Sequence, residues 1–187
     1  IIASSACIAG EIAQEVLAGN MHRAEEALLS YKEIFGDDFY LEIQRHETSD
    51  PTADNTVFPL QQRVIAAYKD LARKFDVKII ATNDVHFVNK EEAEAHDRLI
   101  CINTGSDVDD PKRLRYTKEE YLKSEEEMLA IFKDIPEAVY NTAGIAEKVE
   151  SYSLESSPIM PDFAIPSEFK DLNEYLRFRT YEGAKMR

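Results

Sequence analysis

Apolar residues return along this chain at two different periods. In Gly10 to Ala18 and Met21 to Phe35 they recur at helical intervals, through Ala24, Ala27, Leu28, Tyr31, Ile34 and Phe35, with the helix-ending pair Gly19-Asn20 between the segments. Gly36-Asp37-Asp38 reads as a turn. Phe39 to Ile43 alternates aromatic and aliphatic side chains as a strand does, and Glu47 to Asn55, rich in Thr, Ser, Asp and Pro, reads as a loop. Val57 to Phe75 predicts a long amphipathic helix through Leu60, Val64, Ile65, Tyr68, Leu71 and Ala72, and Asp76 turns it into a strand over Val77 to Ala81. With the strand-like Ile1-Ile2-Ala3 in front, the order is strand, helices, strand, helix, strand. That order implies βα crossovers and a parallel sheet, so the expected fold class is α/β. Three strands are few for such a domain, and the chain opens without an initiator Met. The expectation is a piece of a larger barrel or sheet.

From Lys90 onward the pattern is helical: Glu91 to Ile102, then Ser124 to Lys133 behind a Ser-x-x-Glu capping box (Ser124, Glu127), then Pro136 to Val149 with Pro in its first turn. Between them, Gly105 to Thr117 is a loop with an acidic half (Asp107, Asp109, Asp110) and a basic half (Lys112, Arg113, Arg115). Ser151 to Ser167 is proline-rich and aperiodic, a linker by composition, and Leu172 to Lys185 predicts another helix. A domain boundary is expected near residue 150, separating 1–150 from 151–187.

Candidate chemistry is concentrated in Ala81-Thr82-Asn83-Asp84-Val85-His86-Phe87, directly after the apolar strand. Two-residue spacing on extended chain puts Asp84 and His86 on one face, and a carboxylate beside an imidazole suits a divalent metal or an acid–base pair. The competing reading is a turn Asp and a packed His; the carboxyl end of a parallel strand, where such folds keep their sites, favours the functional one. Cys7, also just past a strand, could join Asp84 and His86 around one metal as a thiolate, or serve as a small buried hydrophobe. Glu42 inside an apolar strand is costly unless paired, so it should meet a cation, a metal-bound His or backbone donors, supporting a ligand rather than ligating. His46 is expected to face solvent. His96 is expected to pack on its helix with its ring hydrogen-bonded, and His22 needs no special role. The runs Glu91-Glu92, Glu119-Glu120 and Glu125 to Glu127 read as solvated helix faces.

Composition narrows the functions. A net charge of −14 argues against a direct nucleic-acid grip, which needs clustered Lys and Arg. The two cysteines, Cys7 and Cys101, form neither a disulfide framework nor a zinc ribbon pattern. No apolar run is long enough for a membrane helix and no leader pattern is present, so a cytoplasmic location is the default expectation.

Several segments together resemble the PHP (polymerase and histidinol phosphatase) domain of bacterial replicative DNA polymerases. They are Ser5-x-Cys7-x-x-Gly10-Glu11, Phe39-Tyr40-Leu41-Glu42, Ala81 to Phe87, Ala95-His96-Asp97 through Leu99 to Ile102, Tyr121 to Ser124, Glu127-Met128, Pro136 to Ala138 and Asn141-Thr142. Their order covers residues 1 to about 148, and Pro161 to Arg187 resembles the connection into the polymerase palm. The resemblance implies a partial PHP-type distorted (β/α)7 barrel, here about three parallel strands with helices, followed by a helical carboxyl-terminal extension. It also implies Cys7, Asp84 and His86 as ligands for divalent metal ions (Zn, Mn or Mg), with Glu42 behind them. The family's amino-terminal His-x-His motif, its other early ligands and the palm aspartates of nucleotidyl transfer have no counterpart here, so the piece is expected to carry an incomplete site and no activity of its own. For the parent protein, the implied function is DNA-directed DNA synthesis in chromosome replication, with DNA, deoxynucleotides, a proofreading exonuclease subunit and a sliding clamp as partners. The alternatives are a stand-alone PHP phosphoesterase acting on a small phosphate monoester such as histidinol phosphate, and a metal-free scaffold module binding the proofreading subunit. If Ile1 to Ala6 is an internal strand with an open edge, the piece should also self-associate, which light scattering would detect.

Overall fold

The computed structural model covers all 187 residues, and its contacts divide the chain into two compact units, Ile1–Glu150 and Ser151–Arg187. The first unit is α/β. Three parallel strands, β1 (Ala3–Ser4), β2 (Phe39–Ile43) and β3 (Lys78–Ala81), lie in the order β1-β2-β3, with Ala3 beside Phe39 and Leu41 beside Ile79. Two helices, α1 (Glu11–Leu17) and α2 (Met21–Phe35), connect β1 to β2, and α3 (Val57–Phe75) connects β2 to β3. The bounds of α2, β2 and α3 are those the periodicity predicts.

Parallel strands are covered on both faces, which is why β2 is buried at Phe39, Tyr40, Leu41 and Ile43 and reads as a near-continuous apolar run. The exception is Glu42. Helix α3 shows how the core selects its stripe: Gln61, Val64, Ile65, Tyr68 and Leu71 are its buried residues, at i, i+3, i+4, i+7 and i+10. A glutamine in that stripe is anomalous until its partner is found. The helix ends at Asp76, which takes the left-handed conformation (φ 51°) that closes a helix, and Lys32 from α2 donates to the carbonyls of both Phe75 and Asp76 there.

Beyond β3 follow a short 3-10 turn at Lys90–Glu92, α4 (Ala93–Thr104), α5 (Glu125–Ile131) and α6 (Pro136–Glu147). The capping box at Ser124 and Glu127 forms as expected, and a second one, Asn89 with Glu92, opens the 3-10 turn. Helix α6 packs on β3, and its Asn141 Nδ2 donates to the Ile79 carbonyl at 2.8 Å, so the outer edge of β3 has a side-chain partner. The loop after α4 returns through Tyr116 and a left-handed Lys118 (φ 68°) to Tyr121, which bridges to Phe87. The predicted loop with acidic and basic halves thus reaches the strand ends.

In the second unit, α7 (Leu172–Lys185) is capped by Asp171, whose side chain accepts from the Glu174 N–H at 2.9 Å, and residues 151–165 carry no regular structure. Phe169 sets its ring against Tyr175 and Phe178, with centroids 4.9 and 5.1 Å apart. No helix of either unit is long and apolar enough to cross a membrane.

Candidate site at the carboxyl ends of the strands

All three strands end on the same side, and each releases polar residues there. After β1 the chain turns sharply. Ala6 takes a positive φ of 59°, and the Cys7 carbonyl accepts from the Gly10 N–H at 2.9 Å. A Cβ at Gly10 would lie 2.1 Å from the Ser5 carbonyl oxygen, so this turn demands a glycine by close approach, not by torsion. Cys7 is half-buried, and its sulfur accepts from the Ala9 N–H at 3.5 Å. It lines a small cleft with Glu42, Gln44 and Gln61.

Glu42 meets hydroxyls and an amide instead of a cation. Its Oε2 accepts from Ser4 Oγ at 2.5 Å, and its Oε1 accepts from Thr82 Oγ1 at 2.6 Å and from Gln44 Nε2 at 3.1 Å. Ser4 and Thr82 belong to the two flanking strand ends, so this carboxylate ties all three together. Charge-assisted bonds of this number offset the cost of an acid in an apolar strand.

His46 is the clearest departure from expectation. It is only 3% exposed, because Gln61 of α3 and Asn83 after β3 close over it. The network fixes its proton. The His46 backbone N–H donates to Gln61 Oε1 at 2.8 Å, so Gln61 must present Nε2 to the ring, and it does so at 3.0 Å from Nδ1. Nδ1 is therefore an acceptor, the proton sits on Nε2, and Nε2 donates to the Asn83 carbonyl at 3.2 Å. Burial pushes the His46 pKa down, against the opposing pull of Glu120, whose Oε1 lies 4.0 Å from Nδ1. The ring is neutral at pH 7.

Glu120 is buried as well, contrary to the reading of Glu119-Glu120 as a solvated face. Its Oε1 accepts from the Thr117 N–H at 3.1 Å and from Thr117 Oγ1 at 2.6 Å, while its Oε2 is buried without a partner. Its backbone carbonyl accepts from the His86 N–H at 2.8 Å.

Asp84 adopts a left-handed conformation (φ 44°), and this turn brings its carbonyl within 2.6 Å of His86 Nδ1. A carbonyl only accepts, so Nδ1 carries the proton and Nε2 keeps a free lone pair. That is the tautomer of a histidine prepared to ligate through Nε2. The Asp84 carboxylate stands beside it, 3.9 Å from Nδ1. The His86 ring also packs on Tyr116 (4.5 Å between centroids) and His96 (5.4 Å). His96 packs as expected, against His86, Phe87 and Tyr116, though through ring contacts rather than a hydrogen bond. Asp97 beside it forms a bidentate pair with Arg113, at 2.6 and 2.7 Å. His22 lies exposed near Glu26.

Asp84 and His86 are thus brought together, whereas Cys7 stands in the cleft with Glu42. No three His, Cys, Asp or Glu side chains of this chain converge closely enough to hold a metal ion. The residues present do not by themselves make the metal site that the motifs imply. Gln61 and Thr117 were given no role by the sequence, Asn83 stood in the 81–87 segment without one, and Glu120 was read as solvated. Gln61, polar inside an apolar helical stripe, was the one visible signal.

Residues 1–46 match the PHP domain family. The full chain is 42% identical to the DNA polymerase III subunit alpha of Borreliella burgdorferi, of which it covers 16%. It is 33% identical to that of Treponema pallidum over 98% of the chain and 15% of the relative. With the Escherichia coli subunit it shares 33% identity over 95% of the chain and 14% of the relative. The chain therefore spans about one sixth or less of the curated relatives it matches, and the resemblance read from its motifs is borne out.

Proposed function

Starting from a chain similar along its length to one stretch of DNA polymerase III alpha subunits, we propose that it serves in a bacterial replicative polymerase. Residues 1–150 are the carboxyl-terminal part of the PHP domain, and residues 151–187 are a linker and the start of the palm region. The activity of the whole protein is then DNA-directed DNA synthesis in the cytoplasm, with DNA and deoxynucleotides as substrates and a proofreading subunit and sliding clamp as partners. Within it, Asp84 and His86 after β3, with Cys7 after β1 on the other side of β2, contribute to a divalent-metal site, and Glu42 braces the strands that carry them. The observation that carries this reading is the His86 ring, protonated at Nδ1 by its bond to the Asp84 carbonyl, with the Asp84 carboxylate 3.9 Å from that same nitrogen and Nε2 left without a hydrogen-bond partner. Divalent metals at a site to which Asp84, His86 and Cys7 contribute would supply an activated water and neutralise charge on a phosphoryl oxygen.

The test is metal content by mass spectrometry, together with phosphodiesterase activity, in the whole alpha subunit and in its Asp84→Ala/His86→Ala variant. Bound metal and activity lost together in the variant support the reading. A folded protein that holds no metal and is indifferent to both substitutions refutes it. The dispersal of Cys7 from Asp84 and His86 favours a second reading, a scaffold for the proofreading subunit, and that same outcome would support it.

A further inference from the structure

Residues 47–55 follow the end of β2 as a loop that reaches the segment around Tyr116. None of them is buried, so no apolar anchor holds the loop down. Polar ties do. Outside its own immediate neighbours the loop hydrogen-bonds to two residues. The Asp54 N–H donates to the Tyr116 carbonyl at 2.9 Å, and Lys118 Nζ donates to Asp50 Oδ2 at 2.9 Å and to Thr52 Oγ1 at 2.7 Å. The loop is shaped to receive that ammonium: Asp50 Oδ1 accepts from both the N–H and the hydroxyl of Thr52, each at 2.7 Å, which sets the Thr52 oxygen beside the carboxylate. Lys118 Nζ also reaches Glu94 Oε1 at 3.2 Å, so one cation ties the loop to α4. To do so Lys118 holds a left-handed backbone (φ 68°), a costly conformation for a residue with a Cβ that persists where contacts impose it. Its neighbour Tyr116 sets its ring on His86 and His96, with centroids 4.5 and 5.2 Å apart, and the His86 side chain is left 28% exposed.

We propose that residues 47–55 form a strap, latched by Lys118, that keeps Tyr116 seated on the His86 ring and opens while the rest of the first unit stays folded. The geometry of residues 1–150 carries this, with no bound ion required at the strand ends. With the ammonium in place the strap is fastened at two points; without it, one backbone bond from an exposed loop remains. Charge-assisted hydrogen bonds contribute more than neutral ones, so the latch is the stronger fastening, and it is the one that salt weakens.

The experiment is hydrogen–deuterium exchange followed by mass spectrometry on the whole alpha subunit, with diethyl pyrocarbonate labelling of histidines at pH 7 as a second readout. Lys118→Met keeps the aliphatic stem and removes the ammonium. A peptide spanning 47–56 is expected to exchange about tenfold faster, the factor that corresponds to losing one charge-assisted hydrogen bond. Peptides from α3 should keep wild-type rates, and labelling of His86 should rise relative to the exposed His22. Raising NaCl from about 0.05 M to about 1 M should speed the same peptide in the wild type and leave the variant unchanged. A folded Lys118→Met protein with wild-type exchange at 47–56, or with wild-type labelling of His86, overturns the proposal. Acceleration shared equally by α3 also overturns it, because the unit would then be losing stability as a whole. Should Lys118→Met not fold, Asp50→Asn weakens the latch from the loop side, and the same outcomes decide.

Discussion

Asp97→Ala should be among the most damaging substitutions on the surface of the first unit. Arg113 presents its two terminal nitrogens to the two Asp97 oxygens at 2.6 and 2.7 Å, and its Nε donates to the Val108 carbonyl at 2.9 Å. The guanidinium side chain is 5% exposed and its partner 17%. Truncating Asp97 therefore strands a cation in a nearly dry setting. Breaking a fully buried pair costs about 3–5 kcal/mol; the residual exposure of Asp97 and the freedom of the loop to relax bring the expectation to about 2–4 kcal/mol. For a unit of this size each kcal/mol lowers Tm by roughly 2–4 °C, so the melting point should fall by about 5–15 °C. Circular dichroism melts with urea titrations at pH 7 measure it. Removing both charges, Asp97→Ala with Arg113→Met, should recover most of the loss, because the cost lies in the unpaired cation. A single variant within 0.5 kcal/mol of wild type, or a double variant no better than the single, would refute the reasoning.

Three further outcomes are expected. Gly10→Ala drives a methyl against the Ser5 carbonyl oxygen, so urea titration should give a loss of about 1–3 kcal/mol. Asp76→Gly relieves the left-handed C-cap without touching the carbonyl bonds from Lys32, and should raise stability by about 0.5–1 kcal/mol in the same assay. Arg45, and then Lys69, hold the Asp134 carboxyl well below the usual carboxylate range. Its folded pKa is depressed, so the stabilisation is present above about pH 4, the unfolded value, and is lost as pH falls toward the folded one. Asp134→Asn should flatten the acid limb of a stability–pH curve measured between pH 5 and pH 2; an unchanged limb would contradict the assignment.

What could be read from the sequence depended on how far each residue's partner lies along the chain. Helix α3 and strand β2 were legible to the residue because their apolar spacing is local. That Glu42 must be paired was also legible, yet two of its three partners, Ser4 and Thr82, are 38 and 40 residues away at the flanking strand ends. His46 was misread because it sits between Arg45 and Glu47, which look like solvent. Its burial is decided by Gln61 on α3 and by Asn83, 37 residues on. The same holds for Glu120, one of a run of charges, whose neighbour Glu119 stays partly exposed while it does not. Asp84 and His86 were legible as a pair because two-residue spacing needs no tertiary knowledge. Where Cys7 would stand relative to them was not.

The bond from Asn141 to the Ile79 carbonyl also has a consequence for synthesis. The two residues are 62 positions apart. At about 5–20 residues per second, a ribosome needs roughly 3–12 seconds to add the intervening chain. During that interval the outer side of β3, with Ile79 and Ala81, has emerged ahead of the helix that covers it. A nascent chain stalled before α6 should be a ready client for a ribosome-associated chaperone, and one stalled well beyond residue 150 should have outgrown it.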